Sequence, residues 1–196
     1  MSDTFADLQR IGLKVFAADG TAVRPHEFVP VFHRWIQRKA VDQMLIDVAD
    51  YEHVPDGPGI VLVAHEGNYS VDLGDGAMGL MYYRKQPAGG DLDTRLASLT
   101  RTVLRAAELL EEEPALGGRV RFRADQLELF ANDRLRAPNA EATYKAFHPH
   151  LHALLARLYG DAACTVTRPT DARDRFGVRI SAPAPATVTQ LLARLG

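Results

Sequence analysis

Residues 60–64 (IVLVA) form the most apolar run of the chain, and that run limits the fold more than any other feature. It is short, rich in β-branched residues and preceded by the turn-dense Val54-Pro55-Asp56-Gly57-Pro58-Gly59, so residues 59–66 read as a strand. Residues 44–51 read as the strand before it, and the two make a strand–loop–strand frame. The densest set of titratable side chains lies in this frame: Asp47, Asp50, His53, His65 and Glu66.

If the connecting turn centres on Asp56 and Gly57, antiparallel pairing sets Asp47 opposite His65 or, one residue out of register, Glu66. Against His65, the aspartate would orient an imidazole for general-base work. Against Glu66, two carboxylates would share one pocket, and one of them would hold a proton. Asp47, His65 and Glu66 are therefore the candidate catalytic residues, suited to hydrolysis or isomerisation with or without a metal. Asn68, Tyr69 and Asp72 lie just beyond. The competing reading is a satisfied structural His–Asp pair, with Asp50 and Glu66 facing water.

Elsewhere, residues 13–17 read as a strand before the turn at Asp19-Gly20. Phe28, Val31, Phe32, Trp35 and Ile36 recur at helical spacing, which predicts a turn at Pro25 and a helix from about Pro30. Residues 68–73 continue the 59–66 strand past a bulge at Gly67, and residues 79–84 (GLMYYR) form another strand. Leu92, Leu96, Leu99, Val103, Ala106 and Leu110 define the surest helix, 91–112, which ends on Glu111, Glu112 and Glu113. Residues 119–133 read as one long bent strand or as a hairpin about Asp125 and Gln126. Pro149 interrupts the next helical pattern, so a regular helix is expected from near His148 to Tyr159. Strands at 164–167 and 176–181 and a short C-terminal helix complete the chain.

The expected class is α+β: one domain spanning 1–196, a two-layer arrangement with a mainly antiparallel sheet covered by helices. Residues 11–86 and 118–196, joined by helix 91–112, each read β-α-β-β. Phe16-Ala17-x-Asp19 in the first matches Phe130-Ala131-x-Asp133 in the second, which suggests an internal duplication about a pseudo-twofold axis.

Composition removes several functions. With 46% hydrophobic and 24% charged residues and a net charge of -2, the chain is an ordinary globular one without the basic stripe that nucleic acid requires. Arg119, Arg121 and Arg123 read as a solvated strand face. The single Cys164 allows no intrachain disulfide and fits a buried thiol in a reducing compartment. No signal peptide is apparent, and no apolar run approaches the roughly 20 residues that span a bilayer. No membrane association and a cytoplasmic location are therefore expected.

The local motifs imply no cofactor. Gly74-Asp75-Gly76-Ala77-Met78-Gly79 fits G-x-G-x-x-G in letters, yet a strand-like segment follows where a dinucleotide site needs a helix. In His148-Pro149-His150-Leu151-His152, a helix would put His148 and His152 on one flank and His150 away from it, so no more than two could bind one metal ion. Trp35, Phe32, Tyr82 and Tyr83 could make an aromatic box, but Phe32 and Trp35 read better as core. Ser-His-Asp, nucleophile-elbow, P-loop and CxxC patterns do not occur.

The sequence thus favours a non-catalytic module that binds a protein partner or a small-molecule ligand through its sheet or between its halves, with a homodimer as one arrangement. The acidic helix end, and 79–84 if it lies on an edge, would be contact surfaces. A small acid/base enzyme using Asp47, His65 and Glu66 is the rival.

Overall fold

Period-two alternation commits much of the chain to strands. The computed structural model, which describes residues 5, 7–55 and 57–196, gathers eight of them into one antiparallel sheet. They are β1 (Ile11–Ala17), β2 (Leu45–Tyr51), β3 (Gly59–Ala64), β4 (Gly67–Asp72), β5 (Gly79–Arg84), β6 (Phe122–Ala131), β7 (Thr165–Thr167) and β8 (Gly177–Ser181). Their order across the sheet is β2-β3-β4-β5-β1-β6-β8-β7. β1 and β6 therefore run side by side in the interior, while β2 and β7 are the edges.

Four helices, α1 (Phe28–Arg38), α2 (Leu92–Glu111), α3 (Glu141–Tyr159) and α4 (Val188–Leu195), complete the α+β architecture. α1 packs on β2 and β3, α2 on β1 and β5, and α4 on β6, while α3 packs against α2 and α4. The core forms between these helices and one sheet face. Leu13, Leu62, Tyr82 and Leu129 point into it, where Trp35, Leu96 and Val103 meet them. Each such side chain contributes about 1.5–3 kcal/mol by leaving water. The Asp91 carboxylate accepts from the Thr94 N–H at 2.8 Å and starts α2, the helix that the leucine spacing defines best. Among the described residues no helix is long and apolar enough to cross a membrane.

Several local expectations change. Pro149 sits inside an unbroken α3. It and Lys145, whose carbonyl would otherwise take the missing N–H, are both exposed, so water can serve that carbonyl. β4 does not extend β3 but folds back beside it, with Ile60 opposite Val71, so Gly67 opens a new strand rather than a bulge. Residues 79–84 form β5, an interior strand between β4 and β1 rather than an edge. Residues 122–131 form one strand, β6, and its pairing with β1 shifts between Val15 and Phe16. The acidic end of α2 is largely engaged: Glu113 accepts from Arg34 and Arg38 at 3.2 and 2.9 Å, and Glu111 accepts from the Phe122 N–H at 2.8 Å. Burial pushes the Glu111 carboxyl above its ordinary range.

Candidate functional site

The β2–β3 register decides what Asp47 meets. Asp47 lies opposite Val63, and a shift between Leu45 and Asp47 leaves Ile46 as the extra residue of a bulge. The expected facing of Asp47 on His65 or Glu66 is thereby corrected. The turn is centred earlier than Asp56 and Gly57, between Tyr51 and Gly59, and Asp56 itself lies outside the described residues. Asp47 is exposed, and its carboxylate accepts from the N–H of its own neighbour Val48 at 2.8 Å. His65 is exposed in the tight β3–β4 connection, and its N–H donates to the Met44 carbonyl at 2.9 Å. Among the described residues no hydrogen bond or ion pair joins any two of Asp47, His65 and Glu66.

Glu66 differs from the other two. It is half-buried, and its Oε2 is fully enclosed without a hydrogen-bond partner among the described residues. Beside it lies a polar cluster under the β3–β4 turn. Gln43 joins two phenols whose rings lie close together but tilted: its Nε2 donates to Tyr69 Oη at 3.1 Å, and Tyr82 Oη donates to its Oε1 at 3.2 Å. Gly67 makes this possible, because a Cβ there would lie 2.5 Å from Tyr82 Oη. Burial first, then the neighbouring Tyr82 and Glu66, hold the Tyr69 phenol well above the usual tyrosine range. Burial does the same to Tyr82. Arg84 closes the cluster by donating from Nη2 to Ser98 Oγ at 3.2 Å, while its Nε is enclosed and unpartnered among the described residues. Gln43 and Tyr69 also line a depression of about 330 Å³ whose far side carries Arg101 and Arg105.

Among the described residues the other face of the sheet carries no helix. Register places Asp47, Ala49 and Tyr51 of β2 on it with Val61 and Val63 of β3, Asn68 and Ser70 of β4, and Met81 and Tyr83 of β5. Lys14, Phe16, Glu128, Phe130 and Arg179 continue it across β1, β6 and β8. Phe16, Val61 and Phe130 are buried yet stand outside the core cluster, as side chains packed laterally on this open face would. Phe130 lies flat on Gly12, where a Cβ would come within 2.2 Å of its ring. Arg175 lies over the same ring with Cζ 3.7 Å from the centroid, and Tyr83 stacks alongside at 6.4 Å. Lys14 is neutralised by Asp72 at 2.5 Å and also donates to the Ala77 carbonyl at 2.7 Å.

Two concavities lie on this open face. One, of about 380 Å³, has a mostly apolar floor of Ala49, Val61, Val63, Met81 and Tyr83, with Asn68, Asn132 and Arg175 among its polar groups. The second, of about 270 Å³, is lined by Arg168, Arg175 and Arg179 around Glu128. Arg175 belongs to both. Glu128 is shared by Arg175 at 3.3 Å and Arg179 at 3.0 Å, and Arg168 pairs with Glu141 at 2.6 Å. The arrangement can hold an anion beside an apolar surface.

Other candidates resolve simply. His148 and His152 share a flank with ring centroids 6.4 Å apart, and His150 instead meets Asp93, Nδ1 to Oδ1 2.6 Å. Among the described residues no group of three His, Cys, Asp or Glu side chains could hold a metal ion. Phe32 and Trp35 are fully buried, Tyr82 faces the core and Tyr83 the open face, so these four form no aromatic box. Arg119 pairs with Glu27 and Arg123 with Asp125, while Arg121 donates to the Glu111 and Val120 carbonyls, so none of them forms a bare basic strip. No sequence motif marks Phe130 or Arg175 as a site residue. The alternation of β6 already sets Phe130 opposite in facing to Leu127 and Leu129, which is the signal that could have found it. No protein-family model, curated protein or solved structure matches the chain, so its reading rests on this geometry.

Proposed function

We propose that the chain is a non-catalytic cytoplasmic binding module that takes an amphipathic anion, an aryl or acyl carboxylate, across the open face of its sheet. One observation carries this reading: the apolar groove and the arginine-lined depression meet at Arg175. The apolar body of such a ligand fits the floor of Val61, Val63 and Met81, and its charged end reaches the guanidinium. The groove falls within the roughly 300–1,000 Å³ of small-molecule sites. Stacking on Phe130 holds the Arg175 fork in place, which lowers the ordering cost of binding. The single, half-buried Cys164, whose thiol burial pushes up, suits a reducing compartment.

The test uses anilinonaphthalene sulfonate, an apolar aromatic body with one anionic group, followed by fluorescence titration. Saturable binding to the wild-type protein is expected, weakened about tenfold by Met81→Asp and by Arg175→Ala, or roughly 1.4 kcal/mol each. Equal affinity in all three proteins sinks the reading.

The same reading treats residues 11–86 and 118–196 as two copies of one β-α-β-β unit. Lys14 lies opposite Glu128 where β1 meets β6, and the Phe16/Phe130 match aligns them as equivalent positions. Outward from there β3 and β2 answer β8 and β7, with β4 and β5 as an insertion.

An acid/base enzyme is the second reading, and the enclosed, unpartnered Oε2 of Glu66 beside two phenols is what favours it. Asp47 and His65 then act only from the surface. Glu66→Gln should abolish any hydrolase or isomerase turnover found by substrate screening while leaving sulfonate binding intact; retained turnover excludes Glu66 as the base.

A further inference from the structure

The two edges of the sheet are protected to different degrees. β7 is three residues long and runs into Arg168 and Pro169, a short, charged and proline-capped edge that resists pairing. β2 is seven residues long. Four of the five exposed large hydrophobic side chains among the described residues lie on or beside it: Met44 (61% exposed), Ile46 (53%), Tyr51 (43%) and Val54 (40%). Beyond the Ile46 bulge, Asp47 to Tyr51 pair regularly with β3, so their backbone is straight enough to accept a further strand. The Val48 N–H bonds to the Asp47 carboxylate of its own strand rather than being committed to a neighbouring one. That short local bond is what an incoming carbonyl would replace.

The charge around this edge is one-sided. Between Lys39 and Arg84 the chain has no lysine or arginine and eight carboxylates, of which Asp42, Asp47, Asp50 and Glu52 lie on β2 or flank it. Asp47 and Asp50 are exposed and share no ion pair among the described residues. A second copy of β2 in two-fold pairing would double these acids along one ladder, which like charges oppose. A strand that alternates basic and apolar residues meets no such penalty: with its apolar side chains on the open face, over Tyr51, its basic ones lie on the opposite face with Asp50.

We propose that β2 is a strand-addition site for an extended segment of a partner protein that alternates basic and apolar residues. Backbone pairing to the outward groups of β2 supplies affinity, and the edge carboxylates supply selection, Asp50 beside the basic side chains and Asp47 through its nearby charge. This site is separate from the anion groove, although Tyr51 borders both.

The experiment is fluorescence anisotropy with two labelled peptides of about eight residues, one alternating lysine and valine and one alternating glutamate and valine, on the full chain. The lysine peptide should bind at least about tenfold tighter than the glutamate one, a difference of roughly 1.4 kcal/mol. The double variant Asp47→Lys/Asp50→Lys should reverse that preference. Val48→Pro, which removes an outward edge N–H that β3 does not use, should abolish binding of both peptides with an unchanged circular dichroism spectrum. Met81→Asp should leave peptide binding as it was, which separates this proposal from the groove. Binding of neither peptide, a preference that the lysine variants do not reverse, or full binding by folded Val48→Pro would each overturn it. So would a dimer in sedimentation that Ile46→Lys dissolves, since the edge would then belong to a second copy. Should Val48→Pro fail to fold, the lysine variants decide alone.

Discussion

On the covered face of the sheet Leu13, Leu62, Tyr82 and Leu129 are buried in one apolar cluster, while one residue along the same strands Lys14, Val63, Tyr83 and Glu128 turn to the open face. Burial on the covered face comes from a second layer of helices. On the open face it comes from side chains lying flat on their neighbours, as Phe130 lies between Gly12 and Arg175 and as Lys14 folds onto Asp72. The covered face therefore answers to volume and the open face to charge pairing. That division leaves the open face able to bind something without loosening the core.

The largest contrast comes from adjacent residues of β3. Leu62→Ala removes a fully buried side chain and leaves a cavity, for an expected loss of about 2–5 kcal/mol in urea unfolding. Val63→Ala, half-buried on the open face, should lose less than about 1 kcal/mol. Equal losses would break the comparison, because they would mean that something covers the open face in solution.

Lys14 is the open-face residue whose removal should cost most. Lys14→Met leaves the nearly buried Asp72 carboxylate without its ammonium, and breaking such a pair costs about 3–5 kcal/mol. Lys14→Met/Asp72→Leu should recover most of that loss, since an apolar pair of similar bulk often replaces a buried ion pair without penalty. Denaturation of both variants checks this. A double variant no more stable than the single would show that the cost lies in the lost bond to the Ala77 carbonyl instead.

How far the sequence anticipates this division depends on the range of the interaction. Helical spacing of Leu92, Leu96, Leu99 and Val103 is local, and it announces α2 to within a residue at each end. The strands are legible for the same reason, but which strands pair is not. β1 lies between β5 and β6, more than sixty and more than a hundred residues away along the chain, and no short-range pattern encodes that contact. The candidate site failed on register. Moving the centre of one loop by about one residue, with an added bulge at Ile46, slides Asp47 from His65 to Val63. The β3–β4 turn carries its glycine after His65 and Glu66 rather than between them, so it lacks the signal that marks a tight hairpin. Glu66 is legible because a carboxylate next to an apolar run is conspicuous; Tyr69, Tyr82 and Gln43 join it only through tertiary packing.

The covered face should also be the one that resists alkali. Tyr69, Tyr82 and Tyr159 all have phenols held above their ordinary range, chiefly by burial. Above the usual phenol value, near 10, the unfolded chain gives up protons that the folded chain keeps. Stability is thus full below that pH and falls as pH rises beyond it. Phenolate absorbance should show these three of the six tyrosines ionising together with loss of structure. Ionisation of all six with the circular dichroism intact would show that water reaches the Gln43 cluster.

The smallest stability effect belongs to Arg175, and it sharpens the comparison most. Its guanidinium is about half exposed, so Arg175→Lys should change unfolding stability by less than about 1 kcal/mol, the scale of a stacked cation at an exposed site. Lysine keeps the charge but loses the flat fork that rests on Phe130 and reaches both concavities. Sulfonate affinity should therefore fall between that of the wild type and that of Arg175→Ala. If Arg175→Lys matches the wild type, charge alone holds the anion and Phe130 serves only as packing. If it matches the alanine variant, the planar fork itself is what the open face offers a ligand.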